Sequence, residues 1–498
     1  MKIPRRTIPF TLERFTFRRV FPYAFFMMVF ALAVRQCTLI DPDFWWHLQT
    51  GEDIFRTGSI PHVDIYSFTK LGSEWITHEW LSELLIYGLF KLGGWGMLVG
   101  CFSLLFTLGL FVAYRDCDGR PYGAALAILL AGGASAPFIA VRPQVITFLL
   151  ASIFLKVLND YARSEVSGKI WWLIPLMLIW VNSHAGFALG LGLIALFVAR
   201  LVIDSKFHLL KKLCLVFTVC ASVVVINPSG LRLYTYPFET IASTSMSTYI
   251  EEWASPNFHD SMFAPFAVML LLLVTVLALS NKRMTAGETL LLVVASLGAL
   301  RSARHIPIFA LIAAPILARQ GWDILVSRGW DKPFTQPESR PTAIAFSFAM
   351  LFLLAPFSLA AFRLWHFVTN ERSYEAQKYP VAAVEFIGEK QVPGPIFNEY
   401  TWGGYLIRRL HPNYRVYIDG RADVYGDSFM AETVGISRGD SSWKEALKRS
   451  AVRTVLIDPQ SALATLLRSD RDWERLYEDQ QSVIFSIKSS EIASVHHE

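Results

Sequence analysis

Apolar residues occur along the chain in blocks of about 15–22 residues, and short links rich in charged residues separate the blocks. A helix needs about 20 apolar residues to cross the hydrocarbon core of a bilayer, so this pattern is typical of a polytopic membrane protein. Residues 77–91 have an amphipathic pattern, which predicts a helix lying along the membrane surface before the second span. The blocks predict eleven spanning helices, at residues 20–36, 94–114, 122–141, 144–158, 170–182, 185–203, 212–227, 262–280, 285–300, 305–318 and 342–362.

The pattern changes near residue 370, where short helical and strand-like segments begin to alternate. Helices are predicted by YPVAAVEFIGE, WGGYLIRRL, SWKEALKRS and ALATLLRS, and strands by PIFNE, YRVYIDG, TVLID, WERLYED and SVIFSI. Such alternation is typical of a small, largely parallel sheet covered by helices. We therefore predict an α-helical transmembrane domain over residues 1–369, an α/β domain over 370–488 and a disordered tail over 489–498.

Basic residues are concentrated in the N-terminal segment and in every second link between the predicted spans. The positive-inside rule therefore places the N-terminus in the cytoplasm. An odd number of spans then places the C-terminal domain on the outer side of the membrane, and a large first outer loop covers residues 36–93.

Composition agrees with a membrane protein, since the chain is 53% hydrophobic and 17% charged, against about 25% charged residues in soluble domains. The net charge of +5 does not indicate nucleic-acid binding, because the basic residues lie in the links rather than on one soluble face. The five cysteines form no CxxC pair, so the sequence predicts neither a zinc cluster nor a disulfide framework.

The unusual polar clusters all fall on the predicted outer face. Charges near hydrocarbon are costly and usually serve a function. We therefore expect one convergent site outside the cytoplasm, built from DPDFWWHL, HEW, VRPQ, WVNSHAG, INPSG, EEW and RSARH.

The first cluster combines acids, a histidine and aromatic residues. On a short helix Asp43 and His47 are spaced i, i+4, so both can reach a single point. Asp41 is either a second reactive acid or a cap at the start of that helix. Trp45 and Trp46 are either membrane-interface anchors or surfaces that pack against a sugar ring or an isoprenoid tail.

The same loop later contributes His78 and Glu79. A carboxylate in a low-dielectric rim has a raised pKa, which suits a general base. Asp43, His47, His78 and His184 are also candidate ligands for a divalent metal, Mg or Mn. Their spacing matches no strong metal signature such as HExxH.

Other side chains on the outer face suit a phosphate-bearing lipid or an acceptor. Arginine binds phosphate bidentately and stays ionised when partly buried, although a single arginine can also snorkel to the interface. Glu252 and Trp253 are candidates for acceptor binding, with plain loop surface as the alternative. Asp419 and Arg421 follow a predicted strand and either bind an acceptor or glycan there or brace the loop internally. The candidates for phosphate binding are Arg142, Asn182, His184, Arg232, Arg301, Arg304 and His305.

A carboxylate base, an arginine clamp and an aromatic lining beside a lipid-facing cavity suit one reaction class. That class is transfer of a group from a phosphate-linked lipid carrier to an acceptor outside the cytoplasm, with membrane lipids as the surroundings. A transporter or flippase for a lipid-linked saccharide is an alternative, but internal repeats and mid-span charges are scarce. A second alternative is a non-catalytic subunit of cell-envelope assembly.

Several segments are similar to those of a broad group of bacterial polytopic membrane proteins. The acidic first outer loop, the number of spans and the C-terminal outer domain further resemble the GT-C class of integral-membrane glycosyltransferases. That class includes protein O-mannosyltransferases, aminoarabinose transferases and the catalytic oligosaccharyltransferase subunit. The segments that are similar to those of the bacterial group are DPDFWWHLQTGEDI, GSIPHVDIYSFT, WITHEWLSE, WVNSHAGFALGL, RSARHIPIFAL, FNEYTWGGYLIRRL and VYIDGRADVYG.

The resemblance implies a glycosyltransferase of the bacterial cytoplasmic (inner) membrane. In the GT-C class an aspartate of the first outer loop is the catalytic or metal-linked residue, a role that falls here on Asp43 or on Asp41. The implied donor is a sugar on polyprenyl phosphate or diphosphate, and the acceptor is an extracytoplasmic protein, lipid or glycan. This loop departs from the class in lacking an adjacent Asp-Glu pair and in containing His47 and His78.

Overall fold

The computed structural model describes residues 17–117, 121–164, 168–335 and 343–488. The N-terminal basic segment before residue 17 and the tail predicted to be disordered at 489–498 therefore lie outside the described residues. The described chain has a helical part up to Thr369 and a mixed part from Glu371 onward, called here the C-terminal region.

The helical part consists of α-helices joined by loops and single turns of 3₁₀ helix. Its α-helices are α1 Phe17–Cys37, α2 Phe44–Thr57, α3 Trp80–Arg115, α4 Pro121–Ser135, α5 Gln144–Ser164, α6 Leu173–Ser183, α7 Phe187–Ile203, α8 Phe207–Val223, α9 Tyr236–Ala242, α10 Thr244–Tyr249, α11 Ala264–Leu279, α12 Ala286–Arg301, α13 Ile306–Ser327, α14 Lys332–Thr335 and α15 Ala343–Thr369. The 3₁₀ turns are Ala136–Phe138, Lys169–Trp172, Val224–Ile226, Gly230–Tyr234, Glu251–Trp253, Ser261–Phe263 and Ala303–His305.

Each of the eleven predicted spans coincides with one of these helices. Within the described ranges, eight helices are long and apolar enough to cross a membrane: α1, α3, α4, α5, α8, α11, α13 and α15. The other three predicted spans fall on α6, α7 and α12, which have 11, 17 and 16 residues. The chain is therefore a multi-pass membrane protein, as the apolar blocks predicted.

The surface helix predicted at 77–91 is continuous with the second span. α3 runs through both, and non-helical backbone interrupts it at Gly93 and Gly94. Gly94 has a φ of +57°, which a residue with a side chain rarely adopts, so glycine is favoured at this break. The break separates the first turns of α3, which pack against α2, from the span that follows.

α13 lies at the centre of the helical part, where it packs against α4, α11 and α12. Its side chains are buried on nearly all sides from Ile306 to Gln320, as expected for a helix that is apolar all round. α1 packs against α3 and α15. The core thus fixes the helix ends that carry the polar turns described below.

The C-terminal region combines short helices with one sheet. Its α-helices are α16 Glu371–Glu375, α17 Val381–Lys390, α18 Gly403–Leu410, α19 Ala422–Tyr425, α20 Asp427–Ser437, α21 Trp443–Arg449 and α22 Ala462–Ser469, with a 3₁₀ turn at Tyr400–Trp402. Its strands are β1 Ile396–Asn398, β2 Thr454–Ile457, β3 Trp473–Glu478 and β4 Val483–Ile487.

The four strands lie in the order β1-β2-β4-β3. β1 pairs parallel to β2, with Ile396 opposite Thr454, whereas β2 pairs antiparallel to β4, and β4 antiparallel to β3. The prediction of a largely parallel sheet is therefore wrong. β3 and β4 are joined by a turn too short for a crossover, so they can only form a hairpin.

The predicted strand YRVYIDG does not join this sheet. Val416 instead pairs with the loop between α1 and α3, called here the first loop (residues 38–79). Its backbone N–H donates to Tyr66 O at 3.1 Å, and its carbonyl accepts from Phe68 N at 3.1 Å. On the other side the Asn398 side chain accepts the N–H of Tyr417 at 2.9 Å. The segment therefore attaches the C-terminal region to the first loop.

Candidate active site

The first loop folds around α2, which is buried between the helical part and α18. Trp45 is 3% exposed and lies edge-on to the rings of Trp95 and Tyr405. Trp46 is 8% exposed and donates Nε1–H to Asp43 Oδ1 at 3.4 Å. Both tryptophans are core residues, so neither lies open to the membrane interface or to a sugar in this structure.

Three carboxylates from two separate turns converge on Arg142. Its Nη1 lies 3.0 Å from Asp41 Oδ2 and 2.9 Å from Glu252 Oε1. Its Nη2 lies 2.9 Å from Asp43 Oδ2. Asp41 Oδ1 also accepts the backbone N–H of Asp43 at 2.9 Å, so it stabilises the turn before α2 as well. We call these four residues the acid–arginine cluster.

Arg304 extends the acid–arginine cluster on one side. Its guanidinium lies 3.9 Å from Glu252 Oε2 and 5.0 Å from the centre of the Trp253 ring. Its side chain is 27% exposed, against 14% for Arg142. Of these two arginines, Arg304 therefore has more room to receive an anion.

Asp43 has an unusual protonation equilibrium. Burial raises its pKa, Arg142 opposes that effect, and the carboxylates of Asp41 and Glu252 raise the pKa further, to about 7. Near neutral pH its carboxyl group is therefore divided between the protonated and ionised forms. A group with such a pKa can accept a proton from a nucleophile and release it again.

A second cluster of charged and polar side chains surrounds Glu79. Nε2 of His78 and Nε2 of His184 each lie 3.4 Å from Glu79 Oε1, and Nε2 of His47 lies 3.6 Å from Oε2. We call these four residues the histidine–glutamate cluster. The charge of Arg142 acts on both His47 and His184, so the two clusters are neighbours.

Hydrogen bonds determine which nitrogen atoms carry protons in two of the histidines. Nδ1 of His184 accepts the backbone N–H of Gly186 at 2.9 Å, so the neutral ring carries its proton on Nε2, the atom that lies 3.4 Å from Glu79 Oε1. Nδ1 of His78 lies 3.0 Å from the carbonyl oxygen of Ile76 and donates to it. His78 can then donate to Glu79 as well only in its doubly protonated form.

The pKa shifts agree with these proton positions. Burial lowers the pKa of His47 and of His184 to about 3, so both rings are neutral. Burial acts on His78 in the same direction, but Glu79 outweighs it and the pKa of His78 is raised. Burial favours the neutral form of Glu79, yet the histidines, His78 foremost, hold its pKa well below the usual range. The predicted raised pKa of Glu79 is therefore wrong, because its neighbours stabilise the carboxylate.

His47 also connects the histidine–glutamate cluster to Glu83. His47 Nδ1 lies 3.4 Å from Glu83 Oε1. Glu83 is 1% exposed, and none of the residues that the structure describes forms a hydrogen bond with its Oε2. Glu83 follows Glu79 by one helical turn and so shares a helix face with it.

The C-terminal region reaches the histidine–glutamate cluster through Asp423. Tyr236 donates its hydroxyl to Asp423 Oδ2 at 3.3 Å, and its ring centre lies 4.5 Å from that of His78. Neither contact was predicted. Tyr236 stands in no recognisable motif, and Asp423 is near the site only because the C-terminal region folds over the first loop.

No model of a known protein family matches the sequence, and no curated protein sequence matches it. The structure is similar to that of the oligosaccharyltransferase of Archaeoglobus fulgidus in the apo form, with a TM-score of 0.51 and 11% identity over 87% of this chain and 69% of that chain. It is also similar to oligosaccharyltransferase AglB of the same organism in complex with an inhibitory peptide and a dolichol-phosphate, with a TM-score of 0.51 and 10% identity over 89% of this chain and 70% of that chain. The chain has the GT-C fold. The predicted fold class is thereby confirmed.

Several residues predicted to bind phosphate have other partners in this GT-C chain. Asn182 accepts from Trp80 Nε1 at 2.8 Å and donates to the carbonyl oxygens of Leu178 and Ile226 at 2.9 and 3.2 Å. Its amide therefore holds α6 in place within the fold.

Arg232 and Arg301 lie at the surface. Arg232 pairs with Glu239 and Glu74, and Arg301 is exposed at the end of α12. His305 follows Arg304, and no described residue forms a hydrogen bond with its buried Nδ1. The predicted phosphate-binding residues that lie in or beside the two clusters are Arg142, His184 and Arg304.

Asp419 and Arg421 form a buried brace. Nη2 of Arg421 lies 2.7 Å from Asp419 Oδ2 and 2.7 Å from Asp64 Oδ1. The guanidinium also lies 4.5 Å from the centre of the Trp75 ring. Asp419 is 0% exposed and Arg421 is 1% exposed, so these contacts match the internal brace that the sequence left as an alternative.

The residues predicted as metal ligands do not fit a divalent metal in this structure. They do not share one point, because Asp43 faces Arg142 whereas the three histidines face Glu79. Among the residues that the structure describes, no group of three or more His, Cys, Asp or Glu side chains is arranged to hold a metal ion. A metal on Nε2 of His184 would also require a proton on its Nδ1, which instead accepts the N–H of Gly186.

Proposed function

We propose that the protein is a glycosyltransferase that moves a sugar from a polyprenyl-phosphate-type lipid to an acceptor outside the bacterial cytoplasm. The observation that carries this proposal is an acid with a pKa of about 7, Asp43, in a cluster bordered by Arg304 within a GT-C fold. A similar structure, AglB, is in complex with a dolichol-phosphate, a lipid of the class proposed here as the leaving group.

In the proposed reaction the nucleophile of the acceptor gives its proton to Asp43 as it attacks the anomeric carbon of the sugar. The bond between that carbon and the phosphate oxygen breaks, and its electron pair remains on the phosphate. Arg304 donates to the phosphate and stabilises its growing charge. Because Asp41, Asp43 and Glu252 face Arg142 and Arg304, protonation of Asp43 leaves this set of charges neutral.

The histidine–glutamate cluster has a positioning role in this proposal. The pKa of Glu79 is held well below its usual range, so Glu79 remains an anion throughout the reaction. His47 stands on α2 one turn after Asp43, and its contact with Glu79 fixes that turn relative to the start of α3. Glu79 and its histidines thereby hold the first loop in the arrangement that presents Asp43.

The experiment that tests the function compares Asp43→Asn with Glu251→Gln, an exposed acid beside the cluster. Each purified protein is placed in nanodiscs with a panel of synthetic polyprenyl-phosphate sugars and a lipid extract of the producing cells, and the released polyprenyl phosphate is measured. We expect Asp43→Asn to lower turnover by about 10²–10⁴-fold and to leave the melting temperature unchanged. Glu251→Gln is expected to keep wild-type turnover. A folded Asp43→Asn protein with wild-type turnover would contradict the proposal. It would favour a transporter for a lipid-linked saccharide or a non-catalytic subunit of cell-envelope assembly.

We also propose that the clusters and the C-terminal region lie outside the cytoplasm, because basic links alternate with polar clusters along the chain. Cysteines at the exposed positions His259 and Arg283 report opposite ends of α11. In intact cells carrying Cys214→Ser, a membrane-impermeant maleimide should label the cysteine at 259, and should label the one at 283 only after permeabilisation. The reverse result would invert the topology.

A further inference from the structure

The acid–arginine cluster already contains a cation shared by all of its carboxylates. Arg142 contacts Asp41, Asp43 and Glu252 at 2.9–3.0 Å through the two terminal nitrogens of its guanidinium. A guanidinium presents five N–H donors in one plane and keeps its charge at any physiological pH. Arg142 lies in the turn before α5. Its positive charge therefore links this turn to the turn before α2 and to the turn at Glu251–Trp253.

Oxygen atoms of several carboxylates are also the donors that Mg²⁺ and Mn²⁺ prefer, at about 2.0–2.1 Å for Mg²⁺. In part of the GT-C class the aspartate of the first outer loop is metal-linked, as the resemblance implied. Here the point between Asp41, Asp43 and Glu252 is filled by the guanidinium of Arg142. A divalent ion would compete for the same oxygens and would be repelled by the arginine.

The carboxylate of Asp43 is also held on the side away from Arg142. Trp46 Nε1 lies 3.4 Å from Asp43 Oδ1, and Gly420 packs so closely there that a Cβ atom on it would overlap the same oxygen. Glu252 retains the contact with Arg304 at 3.9 Å. Loss of the Arg142 side chain should therefore leave the carboxylates in place, facing one another without their shared cation.

We propose that Arg142 takes the place of a divalent cation in this protein: it holds Asp43 for the reaction, and glycosyl transfer proceeds without a bound metal. Arg142 is then a positioning residue rather than a ligand of the lipid phosphate. The statement about transfer rests on the proposed function, whereas the statement that Arg142 fills the cation position rests on the contacts alone.

Mn²⁺ binding to the full-length protein in detergent tests the proposal, with free Mn²⁺ followed by electron paramagnetic resonance. The wild type and Arg142→Lys, which keeps the positive charge, should show no saturable binding at submillimolar Mn²⁺. Arg142→Ala and Arg142→Gln should gain saturable binding, and Mn²⁺ should raise their melting temperatures. The addition of Asp43→Asn to either variant should remove that binding. Arg283→Ala, which removes an exposed arginine at the other end of α11, should behave as the wild type.

Saturable Mn²⁺ binding by the wild type that Asp43→Asn abolishes would overturn the proposal, as would a folded Arg142→Ala or Arg142→Gln protein that binds no Mn²⁺. If both Arg142→Ala and Arg142→Gln fail to fold, the Mn²⁺ titrations of the wild type and of Arg142→Lys still test whether Arg142 fills the cation position. In the transfer assay, chelators should leave wild-type turnover unchanged, and a loss that Mn²⁺ or Mg²⁺ restores would contradict metal-independent transfer. Failure to detect transfer from any donor would count against the proposed function, while the Mn²⁺ titrations would still decide what fills the cation position.

Discussion

Two acids of the first loop, Asp43 and Glu79, have opposite pKa shifts although removal from water acts on both in the same direction. Asp43 shares the single guanidinium of Arg142 with two further carboxylates, so the repulsion among the acids adds to the effect of burial. Glu79 has the Nε2 atoms of three imidazole rings to itself. The surroundings thus allow Asp43 to exchange a proton near neutral pH, whereas they keep Glu79 negatively charged.

The pKa of Asp43 predicts how transfer depends on pH. A general base works only in its ionised form, so kcat/KM should rise as the pH increases through about 7 and should level off above it. Because Arg142 lowers the pKa of Asp43, Arg142→Gln should move the rise to higher pH. Release of polyprenyl phosphate measured across the pH range of the folded protein checks this expectation.

Glu251→Gln serves as the control for this pH profile, since Glu251 is an exposed acid next to the cluster and should leave the profile unchanged. A rate that is flat or falls with increasing pH near 7 would show that Asp43 is not the base whose ionisation limits transfer.

The sequence predicted which residues belong to the site, but it did not predict which of them contact one another. Asp41, Asp43 and Arg142 were found because charged side chains beside apolar blocks are unusual and costly. Arg142 was predicted as a phosphate ligand, yet it contacts carboxylates from two other turns, and no local pattern determines that these turns converge. The contact between Tyr236 and Asp423 was not predicted for the same reason, since it depends on how the C-terminal region docks.

At the scale of the elements, glycines allow the C-terminal region to approach the first loop. A Cβ atom on Gly404 of α18 would lie 2.7 Å from the carbonyl oxygen of Pro42. A Cβ atom on Gly420 would overlap Asp43 Oδ1. Backbone of the C-terminal region therefore lies directly against the turn that carries the candidate base.

Gly420→Ala should disturb the site more than the fold. Its methyl group would overlap the end of a side chain, Asp43 Oδ1, so the side chain must shift from its place beside Arg142 while the backbone can stay. We expect the melting temperature to fall slightly and turnover to fall by about 10²-fold, since small displacements of a reacting group have effects of this size. Both quantities are measured on the purified protein.

Two matched glycine variants separate loss of the site from loss of the fold. A Cβ on Gly403 would overlap the carbonyl oxygen of Ile418, which is backbone, so Gly403→Ala should destabilise the protein by about 1–3 kcal/mol. Gly388 in α17 has open space around its Cβ position, so Gly388→Ala should keep stability and turnover. Equal destabilisation by Gly420→Ala and Gly403→Ala would show that Gly420→Ala disturbs the fold as much as the site.

The elements themselves were predictable to the extent that one local pattern determines them. Long apolar blocks predicted all eleven helices that coincide with the spans, because length and hydropathy decide this class of element. Alternating polar and apolar residues predicted a strand at YRVYIDG, but a strand pattern does not specify a partner. Val416 therefore pairs with the first loop rather than with the sheet.

At the scale of the whole molecule, the C-terminal region and the first loop form one body around the site. Arg421 joins them through its ion pair with Asp64, and Val416 joins them through backbone hydrogen bonds to Tyr66 and Phe68. Each of these contacts links residues more than 300 positions apart in the chain. These contacts hold the C-terminal region against the loop that carries Asp43 and Glu79.

The C-terminal region also holds the segment between α9 and Glu252. Asp427 accepts hydrogen bonds from Ser243 Oγ at 2.6 Å, from Thr244 N at 2.9 Å and from Ser245 N at 3.2 Å. The segment is thus fastened at its middle by Asp427 and at its end by the contact of Glu252 with Arg142.

Asp427→Ala should loosen this segment without unfolding the protein, because Asp427 is exposed and its removal leaves no buried charge unpaired. Hydrogen exchange measured by mass spectrometry should become faster over residues 236–252 and stay unchanged in α13. Turnover should fall, because a mobile segment holds Glu252 against Arg142 for less of the time. Glu445→Gln, an exposed acid of α21, should alter neither quantity. Wild-type exchange over residues 236–252 in Asp427→Ala would show that the helical part orders this segment by itself, and that the C-terminal region has no share in assembling the acid–arginine cluster.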